Sequence, residues 1–372
     1  MPPAPAPALR TRKNQIALTA TERARYVAAL QKMKTDGIYD WYVQTHIDSM
    51  WMLKSGAMPM WAHMRPAFLP WHRQFILDFE NDMRAADTAL TGTPSDLALP
   101  YWDWMIDRSS FPYLVFGWVW QDNFMGPDGS GPDNKVSSGP FAGWAPTYDA
   151  GPDYTNFNDP PGKTFLQRTL GKKVNTLPTE DEWNAAKIVG FYDDVPYDSN
   201  TSKRPPTVQF LGVKSFRNAL EGWIGYYVTP ADAGGADPDH SPPSLHNRVH
   251  VWVGGSMSPL SSPNDPVFFL HHCNVDRLWA VWQREHPAWK YKPNDGEPNP
   301  TDPVGEGTPN ELIDLTGHHL HDPMPPWDGR PATRPGTTGN MPKVAPADVL
   351  NHVKLGYKYD TDPPSLTATG TP

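Results

Sequence analysis

Histidines recur at metal-chelating spacing between residues 245 and 287, a segment that holds five of the thirteen in the chain. His246 and His250 are four residues apart, so on a helix both imidazoles leave one face a single turn apart. A second predicted helix supplies a third imidazole from His271 or His272. Imidazole without thiolate suits zinc, copper, iron or nickel, so this set alone leaves the metal open.

A second set of histidines stands upstream, at His46, His63 and His72. His63 and His72 are nine residues apart, which is too far for one helix face, so a loop must fold His63 back toward the helix that carries His72. Two sets of three histidines predict two metal ions. Structural zinc is the plainest alternative, but structural zinc usually recruits cysteine, and Cys273 is the only one in the sequence.

Four predicted helices can point these histidines into a common interior, as helix bundles do around metal sites. Apolar residues recur at helical spacing, as at Phe75, Phe79 and Met83, and capping boxes that begin at Thr19 and Thr179 predict two further helices. The four histidine-bearing helices are predicted at 38–50, 71–86, 245–250 and 266–286. We therefore expect a mainly α fold, in which a four-helix bundle holds a dinuclear site and is wrapped by long Pro/Gly-rich loops with few short strands.

Five longer motifs carry the histidines from His63 onward or lie between them. They are HMRPAFLPWHRQFILDFE at 63–80, LPYWDW at 99–104, FRNALEGW at 216–223, LHNRVHVWVGG at 245–255 and SPNDPVFFLHHCNVDRLWAVWQREHP at 262–287. In these motifs the chain resembles the type 3 copper family of tyrosinases, catechol oxidases and haemocyanins. It resembles the bacterial tyrosinases, which are polyphenol oxidases, most closely.

The resemblance implies two copper ions as cofactors, which together bind one O2 as peroxide. It implies that one ion is bound by His46, His63 and His72 and the other by His246, His250 and His272, with His271 left as a packing or supporting residue. The implied reaction uses O2 to hydroxylate monophenols at the ortho position and to oxidise o-diphenols to o-quinones. Alternatives are a catechol oxidase or an o-aminophenol oxidase without monophenolase activity, and an oxygen carrier.

Further positions in the motifs suggest how a phenol would be handled. In bacterial tyrosinases a glutamate and an asparagine hold and activate the water that takes the phenol proton, and the matching residues are Glu221 and Asn247. The alternative is a salt-bridged surface carboxylate for Glu221 and a helix-turn hydrogen bond for Asn247. Phe268 is expected to pack against the imidazoles, and substrate-gate positions fall at Val251 and Ser261. Because Val251 is uncharged where some relatives carry arginine, we expect neutral or bulky phenols to be accepted at least as well as tyrosine.

Composition excludes several classes of partner. The formal charge of −9 and the absence of a Lys/Arg run argue against nucleic acid or an anionic membrane. No apolar run approaches the roughly 20 residues that span a bilayer, so we expect a soluble protein, either cytoplasmic or secreted with its leader absent. A copper-delivery (caddie) protein is the partner that the resemblance adds. Cys273 cannot form an internal disulfide and is interpreted as a small packing residue.

The two histidine sets must meet in space, so one catalytic domain is expected over residues 1–360. Tyr357 and Tyr359 match the pair that closes the fold in the family. The other segments are interpreted as a lead-in at 1–16, long inserts at about 108–206 and 224–245, a loop-rich tail from 288 with a solvated HHLH cluster at 318–321, and a short disordered tail at 361–372.

Overall fold

The computed structural model describes residues 9–50, 60–109, 118–147, 164–199, 215–223, 244–258, 260–300 and 313–366. The α-helices in these ranges are α1 (Ala20–Thr35), α2 (Ile38–Asp48), α3 (Phe68–Thr91), α4 (Trp104–Ser109), α5 (Glu180–Lys187), α6 (Phe216–Glu221), α7 (Leu245–Val253), α8 (Val267–Glu285) and α9 (Pro346–Val349). Two strands, β1 (Arg10–Arg12) and β2 (Tyr357–Tyr359), accompany them. The predicted mainly α fold is confirmed. Among the described residues, no helix has the length and apolar character that crossing a bilayer requires.

Helices α1 and α2 begin the bundle. The predicted capping box is present at the start of α1, where the Glu22 N–H donates to Thr19 Oγ1 at 3.1 Å and the Thr19 N–H donates to the Glu22 carboxylate at 2.8 Å. Gly37, at φ 75°, turns the chain directly from α1 into α2. Helix α2 buries Tyr42 and, one turn later, His46. The imidazole therefore points into the bundle, as the sequence predicts.

Helices α3 and α8 cross through stacked aromatic rings. Phe79 and Phe269 lie with their ring centroids 3.4 Å apart and their planes 8° from parallel, and Phe75 lies 6.0 Å from Phe269 at 16°. An offset pair such as Phe75 and Phe269 contributes about 0.5–1.5 kcal/mol beyond the area it buries. This contact therefore fixes how the two histidine-bearing helices lie against each other.

The strands join two distant parts of the chain. Strand β1 pairs in parallel with β2, in a register that sets Arg12 beside Tyr359. The buried Arg12 guanidinium then reaches Glu80 of α3 at 2.9 Å and Asp276 of α8 at 3.3 Å. The Tyr357 hydroxyl donates to the same Asp276 at 2.6 Å. Arg12, in the segment that the sequence assigns to a lead-in, is thus part of the core.

The HHLH cluster differs from its interpretation as a solvated loop. His318 is fully buried, and its Nδ1 accepts from the Ala67 N–H at 3.2 Å. The Tyr291 hydroxyl donates to the His318 carbonyl at 2.9 Å. The interpretation is therefore wrong at the first residue of the cluster, because a polar contact with the start of α3 draws this side chain inside. His321 is exposed, as predicted.

The long predicted insert at 108–206 contains ordered structure. Helix α5 begins at the predicted capping box, and the buried Arg168 forks onto Asp265 just before α8 at 2.7 and 2.8 Å. This segment therefore packs against the bundle as the sequence suggests. Most of the other predicted insert, residues 224–243, lies outside the described residues.

Candidate metal centre

Three elements bring the upstream histidines together. His46 comes from α2, His72 from α3 and His63 from the turn before α3. One ring nitrogen of each lies within 4.8 Å of the other two. All three side chains are buried, and His63 is the most exposed of them at 8%. The set predicted from the sequence is therefore a single buried group that could hold a metal ion.

The turn that carries His63 is bonded to distant parts of the chain. The Tyr192 hydroxyl donates to the Pro66 carbonyl at 2.6 Å, and the Ala67 N–H donates to His318 at 3.2 Å. Such bonds satisfy backbone groups that the irregular turn leaves unpaired. These bonds hold His63 close to α3, although the turn itself has no regular secondary structure.

The downstream histidines form a second group. His246 and His250 lie one turn apart on α7, and His271 and His272 are adjacent on α8. One nitrogen of each lies within 4.8 Å of the others. His246 Nε2 is 3.1 Å from His250 Nε2 and 3.3 Å from His272 Nε2. The i, i+4 spacing thus produces the convergence that the sequence predicts.

Carbonyl groups fix the proton position on two of these rings. His250 Nδ1 is 2.8 Å from the Met257 carbonyl oxygen. His246 Nδ1 is 2.9 Å from the amide oxygen of Asn247 and 3.3 Å from the carbonyl oxygen of Glu221. A carbonyl only accepts, so each Nδ1 carries the proton and donates, and each Nε2 presents a lone pair. Two lone pairs therefore face each other, an arrangement that a cation between them stabilises.

The same pattern holds in the upstream group. His46 Nδ1 donates to the Leu260 carbonyl at 2.6 Å, and His72 Nδ1 donates to the Phe68 carbonyl at 2.8 Å. Their Nε2 atoms are buried and have no hydrogen-bond partner among the residues that the structure describes. Buried polar atoms without partners are costly, so these nitrogens are suited to a ligand that binds at the centre.

A tryptophan distinguishes the two neighbouring histidines of α8. The Trp104 indole N–H donates to His271 Nδ1 at 3.0 Å. Because an indole only donates, the neutral His271 ring carries its own proton on Nε2, which cannot then bind a metal ion. His272 Nε2 instead faces His246. These bonds favour His272 as the third nitrogen of the downstream group.

The two groups adjoin. His72 and His272 stack with their ring centroids 4.2 Å apart and 17° between their planes. Phe268 stacks on His272 at 4.1 Å and meets His46 edge-on at 5.1 Å. The phenyl ring therefore contacts an imidazole of each group, as the sequence leads one to expect.

Burial keeps these imidazoles neutral. Loss of hydration lowers the pKa of His46 to about 3 and that of His250 to about 4. Burial, reinforced by neighbouring imidazoles, holds the pKa values of the other ring systems well below the usual range, at His63, His72, His246, His271 and His272. Neutral imidazole is the form that binds metal ions.

Comparison with known proteins identifies the family. A family profile described as the common central domain of tyrosinase matches residues 36–285, which contain both histidine groups. The chain belongs to the tyrosinase family. It is 40% identical over 317 residues to the tyrosinase of Streptomyces antibioticus. The aligned region covers 84% of this chain and 98% of the relative. The chain is also 35% identical over 333 residues to the grixazone synthase of Streptomyces griseus, with the same coverage of 84% and 98%.

Solved structures of greater sequence divergence share the fold. A polyphenol oxidase from Thermothelomyces thermophila superposes with a TM-score of 0.57 at 19% identity, over 94% of this chain and 88% of that one. A pro-tyrosinase from Aspergillus oryzae does so with a TM-score of 0.54 at 17% identity, over 95% of this chain and 71% of that one. These likenesses agree with the helix-rich architecture of the family.

This tyrosinase-family protein is a copper-dependent oxidoreductase, and its cofactor is a pair of copper ions. The residues fit that cofactor, because ring nitrogens that receive no hydrogen bond from the described residues, such as Nε2 of His46 and His72, converge in the upstream group, and Nε2 lone pairs face each other in the downstream group. Neutral imidazoles hold copper in both of its common oxidation states without adding negative charge.

Glu221 and Asn247 lie at the edge of the centre. The buried Glu221 carboxylate accepts from Arg217 at 3.0 Å and from the Met64 N–H, next to His63. Burial raises its pKa, although the Arg217 charge opposes the rise. Asn247 contacts His246 through its amide oxygen. Glu221 is thus paired with a cation, as the alternative interpretation has it, but it is inside the protein rather than on its surface.

The two expected substrate-gate residues occupy different surroundings. Val251 follows His250 on α7 and is half-buried. Ser261 is buried and follows Leu260, whose carbonyl orients His46. Pro259, in the loop between them, lies outside the described residues.

Sequence reasoning missed three residues that support the centre. Trp104 orients His271, and Arg217 joins Glu221 to the buried Asp193 at 2.8 Å. The four-residue spacing of Arg217 and Glu221 in FRNALEGW was a usable signal for an ion pair. Asp193 carried no comparable signal, since it is 24 positions from Arg217.

Proposed function

We propose that the protein uses O2 to hydroxylate monophenols at the ortho position and to oxidise o-diphenols to o-quinones. One copper ion is assigned to His46, His63 and His72, and the other to His246, His250 and His272. The observation that supports this assignment best is the pair of Nε2 atoms on His246 and His250, which face each other at 3.1 Å while both Nδ1 atoms donate to carbonyl oxygens. A metal cation between them would relieve that contact.

When bound, the copper pair supplies O2 binding and the two-electron oxidation. The protein must first remove the phenol proton, because a phenol has a pKa near 10 and is protonated at neutral pH. We assign this step to a water held by Glu221 and Asn247. In support, Asn247 and the Glu221 backbone both contact His246, while the Glu221 carboxylate lies beside the turn of His63.

One observation favours the narrower activity of a catechol or o-aminophenol oxidase. Both oxygens of the Glu221 carboxylate already accept protein hydrogen bonds, one from Met64 and one from Arg217. A carboxylate so engaged has less capacity left to hold water. Catechols lose their first proton more readily than simple phenols, so they depend less on such a base.

Oxygen uptake separates the two activities. Copper-loaded protein is supplied with 4-methylphenol and with 4-methylcatechol, and copper-free protein serves as the control. We expect uptake with both, after a lag on the monophenol. In Glu221→Gln, monophenol turnover should fall at least tenfold more than catechol turnover. Uptake by the unmodified enzyme with the catechol alone would refute the hydroxylase assignment. A kcat/KM for L-tyrosine well above that for 4-methylphenol would contradict the substrate range expected from Val251.

Copper stoichiometry tests the ligands without reference to turnover. His250→Ala and His63→Ala should each bind one copper ion tightly instead of two. His321→Ala, a replacement at an exposed histidine outside both groups, is the matched control and should retain two. Two tightly held ions in either of the first variants would remove that residue from the ligand set.

Delivery of copper by a second protein is also part of the proposal. It is supported by the burial of the histidines, since a hydrated ion must lose its water before it reaches them. Copper-free protein mixed with a copper salt alone should load slowly and incompletely. Full loading within the mixing time would argue against such a partner.

We also propose that residues 1–360 form one catalytic domain and that residues 361–372 follow it as a short tail. In support of one domain, β1 and β2 are paired, and both contact the bundle through Asp276. Asp362 bears on the boundary, because its buried side chain accepts from the Tyr359 N–H at 2.8 Å. Truncation after 360 tests this boundary: an unchanged melting temperature would place residues 361–372 outside the domain, and a lower one would include Asp362 in it.

A further inference from the structure

Met64, which directly follows His63, has an unusual backbone. Its φ is 61°, in the left-handed region that residues with a Cβ rarely adopt. Both of its backbone polar groups are held from outside the turn: its N–H donates to the Glu221 carboxylate, and its carbonyl accepts from the Ser199 N–H at 2.9 Å. A strained conformation persists only where its surroundings determine it in this way.

A single guanidinium connects the two groups that hold Met64. Arg217 Nη1 donates to Ser199 Oγ at 2.6 Å and to Glu221 Oε2 at 3.0 Å. Its Nε and Nη2 donate to the two oxygens of Asp193 at 2.8 and 3.2 Å. The side chains of Arg217, Asp193 and Glu221 are completely shielded from solvent. This planar fork, with donors on two sides, has no equivalent in lysine.

We propose that Arg217, anchored by Asp193, is a positioning residue for His63. The Arg217 guanidinium fixes the side chains of Glu221 and Ser199. These two residues hold the left-handed backbone of Met64, and that backbone directs the His63 ring toward its metal. The inference rests on the proposed assignment of His63 as a copper ligand. Glu221 would then help to position His63 in the upstream group, in addition to its proposed role in removing the phenol proton.

Copper affinity tests the inference directly. In Arg217→Lys, a competition titration with a copper chelator should show one of the two ions bound about 10–100-fold more weakly, as is typical when a group supporting a metal ligand is lost. Glycine adopts positive φ without strain. Met64→Gly in the same background should therefore restore most of the affinity. A general loss of packing would not be rescued by removing a side chain.

Arg12→Lys is the matched control. Arg12 is another fully buried arginine that forks onto a carboxylate, Glu80, but neither residue contacts the turn of His63. This variant should have a lower melting temperature and two unchanged copper affinities. Unchanged affinities in Arg217→Lys, or a loss that Met64→Gly does not restore, would overturn the inference.

Variants at Met64 alone keep the test available if Arg217→Lys fails to fold. A β-branched residue is strained further at positive φ, so Met64→Val should weaken one copper ion and Met64→Gly should weaken neither. Equal affinities in both would refute the positioning role. The His63→Ala variant separates the two proposals: two tight ions there refute the ligand assignment. One tight ion there, together with unchanged affinities in Arg217→Lys, refutes only the positioning role.

Discussion

Phe268 should stabilise the protein and shape the copper centre at once. Its ring is fully buried, and it contacts His272 at 4.1 Å and His46 at 5.1 Å. Removing a buried phenyl ring costs about 3–5 kcal/mol in lost burial and residual cavity, so we expect Phe268→Ala to lower the free energy of unfolding by about 4 kcal/mol. Phe268→Leu keeps most of the volume and costs less than about 1.5 kcal/mol for packing. The lost ring contacts add about 0.5–1.5 kcal/mol, which gives about 2 kcal/mol in total.

Urea denaturation of copper-free protein measures these changes without the contribution of bound metal. Copper titration of the same variants then measures the effect on the centre, where Phe268→Ala should weaken both ions because the ring supports both groups. Phe141→Ala is the matched control. Phe141 is equally buried, but its ring contacts that of Trp144 and not a histidine of the centre. It should lose comparable stability and keep both copper affinities.

Two results would refute this reasoning. A loss below about 2 kcal/mol in Phe268→Ala would mean that the site collapses without a cavity or that the ring is less constrained than its contacts indicate. Equal weakening of copper in Phe268→Ala and Phe141→Ala would mean that the centre responds to stability in general and has no particular dependence on Phe268.

Three further predictions concern the surroundings of the centre. Gly222 has φ 98°, and a Cβ there would overlap the Ser244 carbonyl oxygen. Gly222→Ala should therefore lower the free energy of unfolding by more than about 2 kcal/mol. Thermal denaturation measures this, and an unchanged melting temperature would contradict it. Burial raises the pKa of the Cys273 thiol, so native protein should not react with a thiol reagent at pH 8. Unfolded protein should react with one equivalent of the reagent per chain. Rapid reaction of the native form would contradict this prediction. Asp276→Asn should cost about 3–5 kcal/mol in urea denaturation, because it leaves two buried arginines short of their shared counter-charge, and a loss under about 1 kcal/mol would argue against that network.

The sequence predicted the parts of the fold that depend on local spacing. The i, i+4 pair of His246 and His250, the capping box at Thr19 and the apolar stripe that includes Phe75 and Phe79 are all set by helical geometry. Because these signals lie within a few residues, they identify the helices that converge on the centre. The family resemblance then supplied copper, which spacing alone could not.

What the sequence could not predict depends on contacts between distant residues. His318 looks like part of a polar tract, yet its contact with Ala67, 251 positions away, draws it into the interior. The positive φ of Met64 has no sequence signature, since methionine is not a residue typical of that region. The choice between His271 and His272 was likewise open from periodicity, and the bond from Trp104 that bears on it spans 167 positions.

The pairing of β1 with β2 has a consequence for the order in which the chain can fold. Tyr357 donates to Asp276, which precedes it by 81 positions and lies one turn beyond His272 on α8. During synthesis on a ribosome, every histidine of the centre is therefore made well before Tyr357, which bonds to α8. Contacts between such distant residues form late in folding, because the chain between them must close first. The contacts that join β2 to α8 can therefore form only after every ligand of the centre has been synthesised.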